Sequence, residues 1–155
     1  MLINHGLGRH VLVECYDAGF EALNDLERIR DAMLRATTVM QATMLSERFH
    51  KFAPQGVSGA VVIAESHLTI HTWPELGYAA IDFFTCGACD PLQGFQVLAK
   101  AIGSGTMKVS TFARGFPATP GSETDGANEA ARHVASHTYV LDSEPSPSYE
   151  EALSA

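Results

Sequence analysis

Basic residues are scarce in this chain. Lys and Arg total 10 against 18 Asp and Glu, a formal net charge of -8 over 155 residues. Phosphate backbones are bound by basic stripes. The balance therefore excludes nucleic acid as an expected partner and argues against an anionic membrane surface. Long apolar runs are missing as well. The longest strongly apolar stretch near the middle is Ala60 to Ala64, far short of the roughly 20 residues of a membrane span. The opening Met-Leu-Ile-Asn-His-Gly has no basic patch followed by an apolar stretch, so no signal peptide is expected. Cysteine is limited to Cys15, Cys86 and Cys89, an odd count that does not read as a disulfide framework. There is no Gly-x-Ser-x-Gly nucleophile elbow, and no second C-x-x-C. The expectation is a compact, acidic, cytoplasmic protein.

What is present supports folding. A 46% hydrophobic fraction with 18% charged residues argues against wholesale disorder. The length suits one domain with one modest core. The charge is uneven. Residues 1–116 carry 11 acids and 9 bases, a net of -2. From Pro117 onward 7 acids face one base, Arg132, a net of -6. That tail also holds Pro117, Pro120, Pro145 and Pro147 with much Ser, Ala and Gly. It reads as an acidic, disordered appendage with a short helix near Asn128 to His137, leaving 1–116 as the working domain.

Within 1–116, His10 to Tyr16 is a β-like run. Asn24-Asp25-Leu26-Glu27 resembles a capping box with Asn24 as N-cap. Leu26, Ile29, Met33 and Ala36 then recur at helical spacing, predicting a helix over 25–38. Strands are predicted at Thr43 to Phe52, Val57 to Ile63, His67 to Thr72, Tyr78 to Phe84 and Lys108 to Ala113. Val57 to Ile63 is apolar on both faces and is expected to be central. In His67 to Thr72, Leu68 and Ile70 share one face while Thr69 and His71 share the other. Asp90-Pro91 opens a second helix carrying Phe95, Leu98, Ala99 and Ile102, and Gly103 stops it. Short strands with tight turns and two helices predict an antiparallel sheet with helices on one face.

The densest chemistry lies in Gly56-Val57-Ser58-Gly59 and Glu65-Ser66-His67-Leu68-Thr69-Ile70-His71-Thr72-Trp73-Pro74-Glu75. Ser66 is a hydroxyl between an acid and an imidazole where two strands meet. Nucleophilic chemistry needs such a neighbouring base, yet Ser-His neighbours are usually plain turn chemistry. Cys86 and Cys89 form a C-x-x-C between a strand and a helix. This is the setting of a thioredoxin-like redox pair, or of half a zinc site with His67 and His71, although buried structural thiols are the ordinary outcome. His133 and His137 have the i, i+4 spacing of a helical metal pair but lack the metalloprotease Glu. His5, His10 and His50 look incidental.

Together these two blocks, with Asp82-Phe83-Phe84-Thr85-Cys86-Gly87 and Leu7-Gly8-Arg9-His10, closely resemble the small prokaryotic S-adenosylmethionine decarboxylase proenzymes. The resemblance covers about residues 7–116. It implies a two-layer α+β sandwich, an antiparallel β-sheet with two helices on one face, and a homodimer of cleaved protomers. It further implies that the chain cuts itself between Glu65 and Ser66 into a beta chain 1–65 and an alpha chain 66–155. Ser66 becomes a covalent pyruvoyl group that forms a Schiff base with the substrate, the electron sink a decarboxylation requires. By the same resemblance, Ser58 and His71 assist cleavage, His71 as proton acceptor, since an imidazole titrates near neutrality. Cys86 returns a proton to the substrate carbon. Glu75 accepts hydrogen bonds from ribose hydroxyls, Glu14 is an acid near the site, and Phe52 stacks on adenine. No metal is expected. The product would be the aminopropyl donor for spermidine synthesis. Arginine or ornithine is the alternative substrate, and a C-x-x-C redox module, which predicts an uncut chain, is the alternative of another class. Cys89 departs from the family pattern, and pairing it with Cys86 would disable the proton donor.

Overall fold

Residues 7–86 and 89–115, and the backbone of 132–140, are described by a computed structural model. The element order is β1 (Gly8–Tyr16), α1 (Phe20–Leu23), α2 (Leu26–Val39), β2 (Thr43–Lys51), β3 (Val57–Ala64), β4 (Ser66–Trp73), a 3-10 turn (Pro74–Leu76), β5 (Tyr78–Thr85), α3 (Pro91–Ile102), β6 (Thr106–Arg114) and β7 (Arg132–Val140). Seven antiparallel strands form one sheet in the order β2-β3-β4-β5-β1-β6-β7. The α+β class, with α2 and α3 over one face of an antiparallel sheet, is as the sequence predicts.

Period-two burial makes the two layers. Val11, Val13 and Cys15 of β1, Val61 and Ile63 of β3, Leu68 and Ile70 of β4, and Ile81 and Phe83 of β5 turn to the helices. There they meet Ile29, Met33 and Ala36 of α2 and Phe95, Leu98 and Ile102 of α3. Each such large side chain contributes about 1.5–3 kcal/mol on burial. Gly94 lets α3 sit this close, because a Cβ there would lie 2.3 Å from Met40 Sδ. Among the described residues, no helix lies on the opposite face of the sheet. That face presents Ser58, Thr69, His71, Glu14, His10 and Asp82 at alternating positions.

Four expectations change. The cap of α2 is Asp25, whose carboxylate accepts from the Arg28 N–H at 3.1 Å; Asn24 instead accepts from the Gly56 N–H at 3.1 Å, tying the α1–α2 junction to β3. The strand β3 is second from an edge rather than central. Its Val62 is 43% exposed because it lies on the uncovered face. The short helix α1 carries no sequence signal of the usual length. In the tail, the helix expected near 128–137 is replaced over 132–140 by β7, antiparallel to β6. The free edge of β6 offers unpaired backbone groups, and pairing there outweighs a weak helical pattern. His133 and His137 therefore fall on a strand, where four residues do not make a helical turn. Residues 116–131 and 141–155 lie outside the described residues, as does His5.

Candidate active site

The β3–β4 hairpin places Ser66 at its own turn. Ile63 pairs with Ser66 across the ladder, leaving Ala64 and Glu65 as the reversal. Ser66 holds φ at 142°, outside the regions a residue with a Cβ prefers. Such a conformation costs on the order of 1–3 kcal/mol and persists only where its surroundings enforce it. Cys86 follows β5 beside this turn, and its N–H donates to the Glu65 carbonyl at 3.4 Å. The Cys86 thiol lies over β1, 3.2 Å from where a Cβ on Gly8 would stand. Ser66, the Glu65 carbonyl and Cys86 thus meet at one end of the sheet.

Ser58 and His71 pair across β3 and β4, with Ser58 Oγ 2.8 Å from His71 Nδ1. They line a pocket of about 320 Å³ together with Phe52, Gly56, Trp73 and Glu75. Every sequence-predicted substrate-binding residue except Glu14 is therefore in this pocket. Trp73 also lines it, a residue the sequence reading did not single out. The residue is 39% exposed, and its ring lies 6.5 Å from the His71 ring. The alternation that sets His67, Thr69 and His71 on one face reaches Trp73 and was the available signal. Glu14 stands in the same cross-strand row as His71, with Ala80 between them. Its carboxylate accepts from the Tyr78 hydroxyl, and burial followed by this bond pushes the Tyr78 pKa up.

The two groups do not meet within one chain. Ser66 and His71 are separated by five residues of extended strand, roughly 16 Å at about 3.3 Å per residue. Between them on the uncovered face lies a polar cluster. His10 is not incidental: its Nε2 is 2.7 Å from Asp82 Oδ1, and Thr69 donates to the other Asp82 oxygen. Burial alone would raise the Asp82 pKa, but the hydrogen bonds from Thr69 and His10 outweigh it and hold the carboxyl below its ordinary value. His67 stands beside this pair, its ring 6.4 Å from that of His10. Cys15 is buried among apolar neighbours, which pushes its thiol up to about 12. Cys15, Cys86 and Cys89 are free thiols.

A family described as S-adenosylmethionine decarboxylase matches residues 9–115, which include every one of these residues except Gly8. The chain is 48% identical over 125 residues to an S-adenosylmethionine decarboxylase proenzyme of Carboxydothermus hydrogenoformans, covering 80% of this chain and 98% of that one. A proenzyme of the same name from Syntrophomonas wolfei is 51% identical over 115 residues, covering 74% and 91%. The fold is similar to the crystal structure of the Aquifex aeolicus adenosylmethionine decarboxylase, with a TM-score of 0.69, 29% identity and coverage of 74% and 95%.

Proposed function

Because the chain belongs to the S-adenosylmethionine decarboxylase family and is a carboxy-lyase, we propose that it cuts itself at Ser66 and then decarboxylates S-adenosyl-L-methionine. The products are S-adenosylmethioninamine, the aminopropyl donor for spermidine, and carbon dioxide, made in the cytoplasm. The observation that carries the reading is the backbone at Ser66, held at φ 142° in a two-residue reversal beside a bound Glu65 carbonyl.

In the cut, the Ser66 hydroxyl adds to the Glu65 carbonyl carbon. The C–N bond breaks and an ester forms, with the Ser66 nitrogen taking up a proton. The Cys86 N–H, aimed at the Glu65 oxygen, steadies the charge that gathers there. Removal of the Ser66 α-proton expels the Glu65 carboxylate, and water replaces the nitrogen with release of ammonia. The residues at this end fit the resulting pyruvoyl group, since Ser66 begins a strand whose pairing to β5 keeps its new terminus in place. That group supplies the electron sink for loss of carbon dioxide. Cys86 stands within reach of the same terminus and holds the proton that the substrate carbon takes up.

His71 is the proton acceptor for the cut, with Ser58 fixing its ring. Its distance from Ser66 along β4 supports a homodimer in which each copy lends its Ser58–His71 pair to the other. The pocket beside that pair suits the nucleoside: Phe52 and Trp73 offer aromatic faces to a flat ring or a sulfonium, and Glu75 offers a carboxylate to ribose hydroxyls. Glu14 adds a negative charge along the same row.

Intact-mass measurement of purified protein is expected to give fragments 1–65 and 66–155, the second blocked at its N-terminus. Ser66→Ala is expected to stay whole. A wild-type chain that never splits overturns the processing. Release of labelled carbon dioxide from S-adenosylmethionine, but not from arginine or ornithine, fixes the substrate.

A further inference from the structure

We propose that His10, His67 and Asp82 form a binding site for a zinc-class divalent ion on the uncovered face of the sheet. The inference lies outside the decarboxylase reading and does not rest on it. His67 is on β4, His10 on β1, and β5 runs between them. Cross-strand pairing sets both histidines opposite Phe84, one on each flank. Asp82 lies two residues along β5 from Phe84, on the same face. One ligand atom from each of the three residues lies within 4.8 Å of the others, with His10 Nε2 and Asp82 Oδ1 already 2.7 Å apart. A tetrahedral ion with bonds of about 2.0–2.2 Å holds its ligand atoms roughly 3.4 Å apart. Small side-chain rotations on a fixed backbone reach that spacing. All three positions belong to the hydrogen-bonded middle of the sheet, which suits a preorganised site.

The surroundings are those of a metal site. Thr69 donates to Asp82 Oδ2 and so leaves Oδ1 directed at His10. Outer partners of this kind orient ligating carboxylates. The Phe84 ring supplies an apolar wall, 5.5 Å from the His10 ring and 5.9 Å from that of His67. Two imidazoles and one carboxylate select zinc, nickel or copper over magnesium or calcium, and three protein ligands leave a coordination position open.

Arg114 is the competitor. Its Nη1 lies 3.3 Å from His10 Nδ1. A guanidinium only donates, so Nδ1 accepts and Nε2 carries the proton shared with Asp82. Binding an ion at Nε2 moves that proton to Nδ1 and turns Arg114 away. Arg114 is exposed at a strand end, with its guanidinium 5.3 Å from the centre of the Phe84 ring, so turning away gives up only a surface stacking contact. The cysteines are not part of the set: the ligand atoms near His67 come from His10 and Asp82, and His71, the other histidine the sequence offered to them, pairs with Ser58.

The test uses untagged full chain titrated with zinc chloride by calorimetry, and with cobalt chloride by visible absorption. One ion per chain is expected, with a cobalt d–d spectrum lacking any thiolate charge-transfer band. His10→Ala, His67→Ala and Asp82→Asn should each weaken binding at least tenfold, and Thr69→Val about tenfold. Arg114→Ala should tighten it several-fold, which a merely adventitious surface ion would not do. Cys86→Ser and Cys89→Ser should leave it unchanged. Absent or substoichiometric binding, binding indifferent to His67→Ala, a thiolate band, or weaker binding in Arg114→Ala each overturns the site. Circular dichroism identifies any variant that fails to fold, and the near-isosteric Asp82→Asn and the surface Arg114→Ala then decide.

Discussion

The three thiols of this chain occupy two kinds of environment, and each should react accordingly. Cys15 faces the helices with its pKa pushed up to about 12 by burial. The thiolate is the reactive form, so Cys15 is expected to resist a disulfide reagent in the folded protein across neutral and mildly alkaline pH. Cys86 and Cys89 are only half-buried. Two equivalents of 2-nitro-5-thiobenzoate should appear from native protein and a third only after denaturant; three from native protein would show that Cys15 is accessible. The sequence marked Cys86 through the motif around it, whereas Cys15 stood alone in a β-like run, and in the structure it alternates with Val11 and Val13 on the buried face. His10 and Asp82 were harder to see. They are 72 positions apart, and nothing local announces a pairing that only the β1–β5 ladder creates.

At the scale of elements, one hydroxyl holds the Ser58–His71 pair in register. Thr72 Oγ1 donates to the Leu23 carbonyl at 2.8 Å and accepts from the Val57 N–H at 2.8 Å. Thr72 and Val57 are the immediate neighbours of His71 and Ser58, so this bridge clamps β4 to β3 and to the end of α1. Thr72→Val keeps the shape and strands two buried backbone groups. It is expected to cost about 1–3 kcal/mol, read as a lower urea midpoint at unchanged slope, and to slow self-cleavage; wild-type stability would show that water replaces the hydroxyl. Strand and helix positions were legible because period-two and period-3.6 patterns are local. Strand order was not. The sequence of β3, apolar on both faces, suggested a centre, yet on one side of it stands a single strand, β2, and on the other stand five. The tail strand β7 was hidden for a related reason: its pairing energy resides in the β6 edge and not in its own composition.

At the scale of the molecule, the residues proposed for the cut, Ser66 and His71, stand towards opposite ends of one strand, β4. A dimer that brings the Ser58–His71 end of one copy to the Ser66 end of the other resolves this. Co-expressing a Ser66→Ala chain with a His71→Ala chain is the direct check. Only the His71→Ala chain should be cut, using the imidazole of its companion, while each variant alone stays whole. If neither chain is cut in the mixture, His71 acts on its own Ser66 or not at all. Most of the -8 charge belongs to the segment beyond 116, so the face itself is not strongly repelled by its copy.

The strand order has one more consequence for the cut proposed at Ser66. Fragment 1–65 would own β1, β2 and β3, and fragment 66–155 the other four strands, yet β1 lies between β5 and β6. The pieces are interlaced, and neither can leave without dismantling the sheet. The proposed cut would convert a hairpin closed at almost no entropic cost into an encounter between two separate molecules. After denaturation the uncut Ser66→Ala chain should refold at a rate independent of concentration. The mature pair should refold more slowly as it is diluted, and equal dilution-independent rates for both would count against the interlacing. The folded enzyme would then be a product whose assembly instructions are discarded at the moment it becomes active.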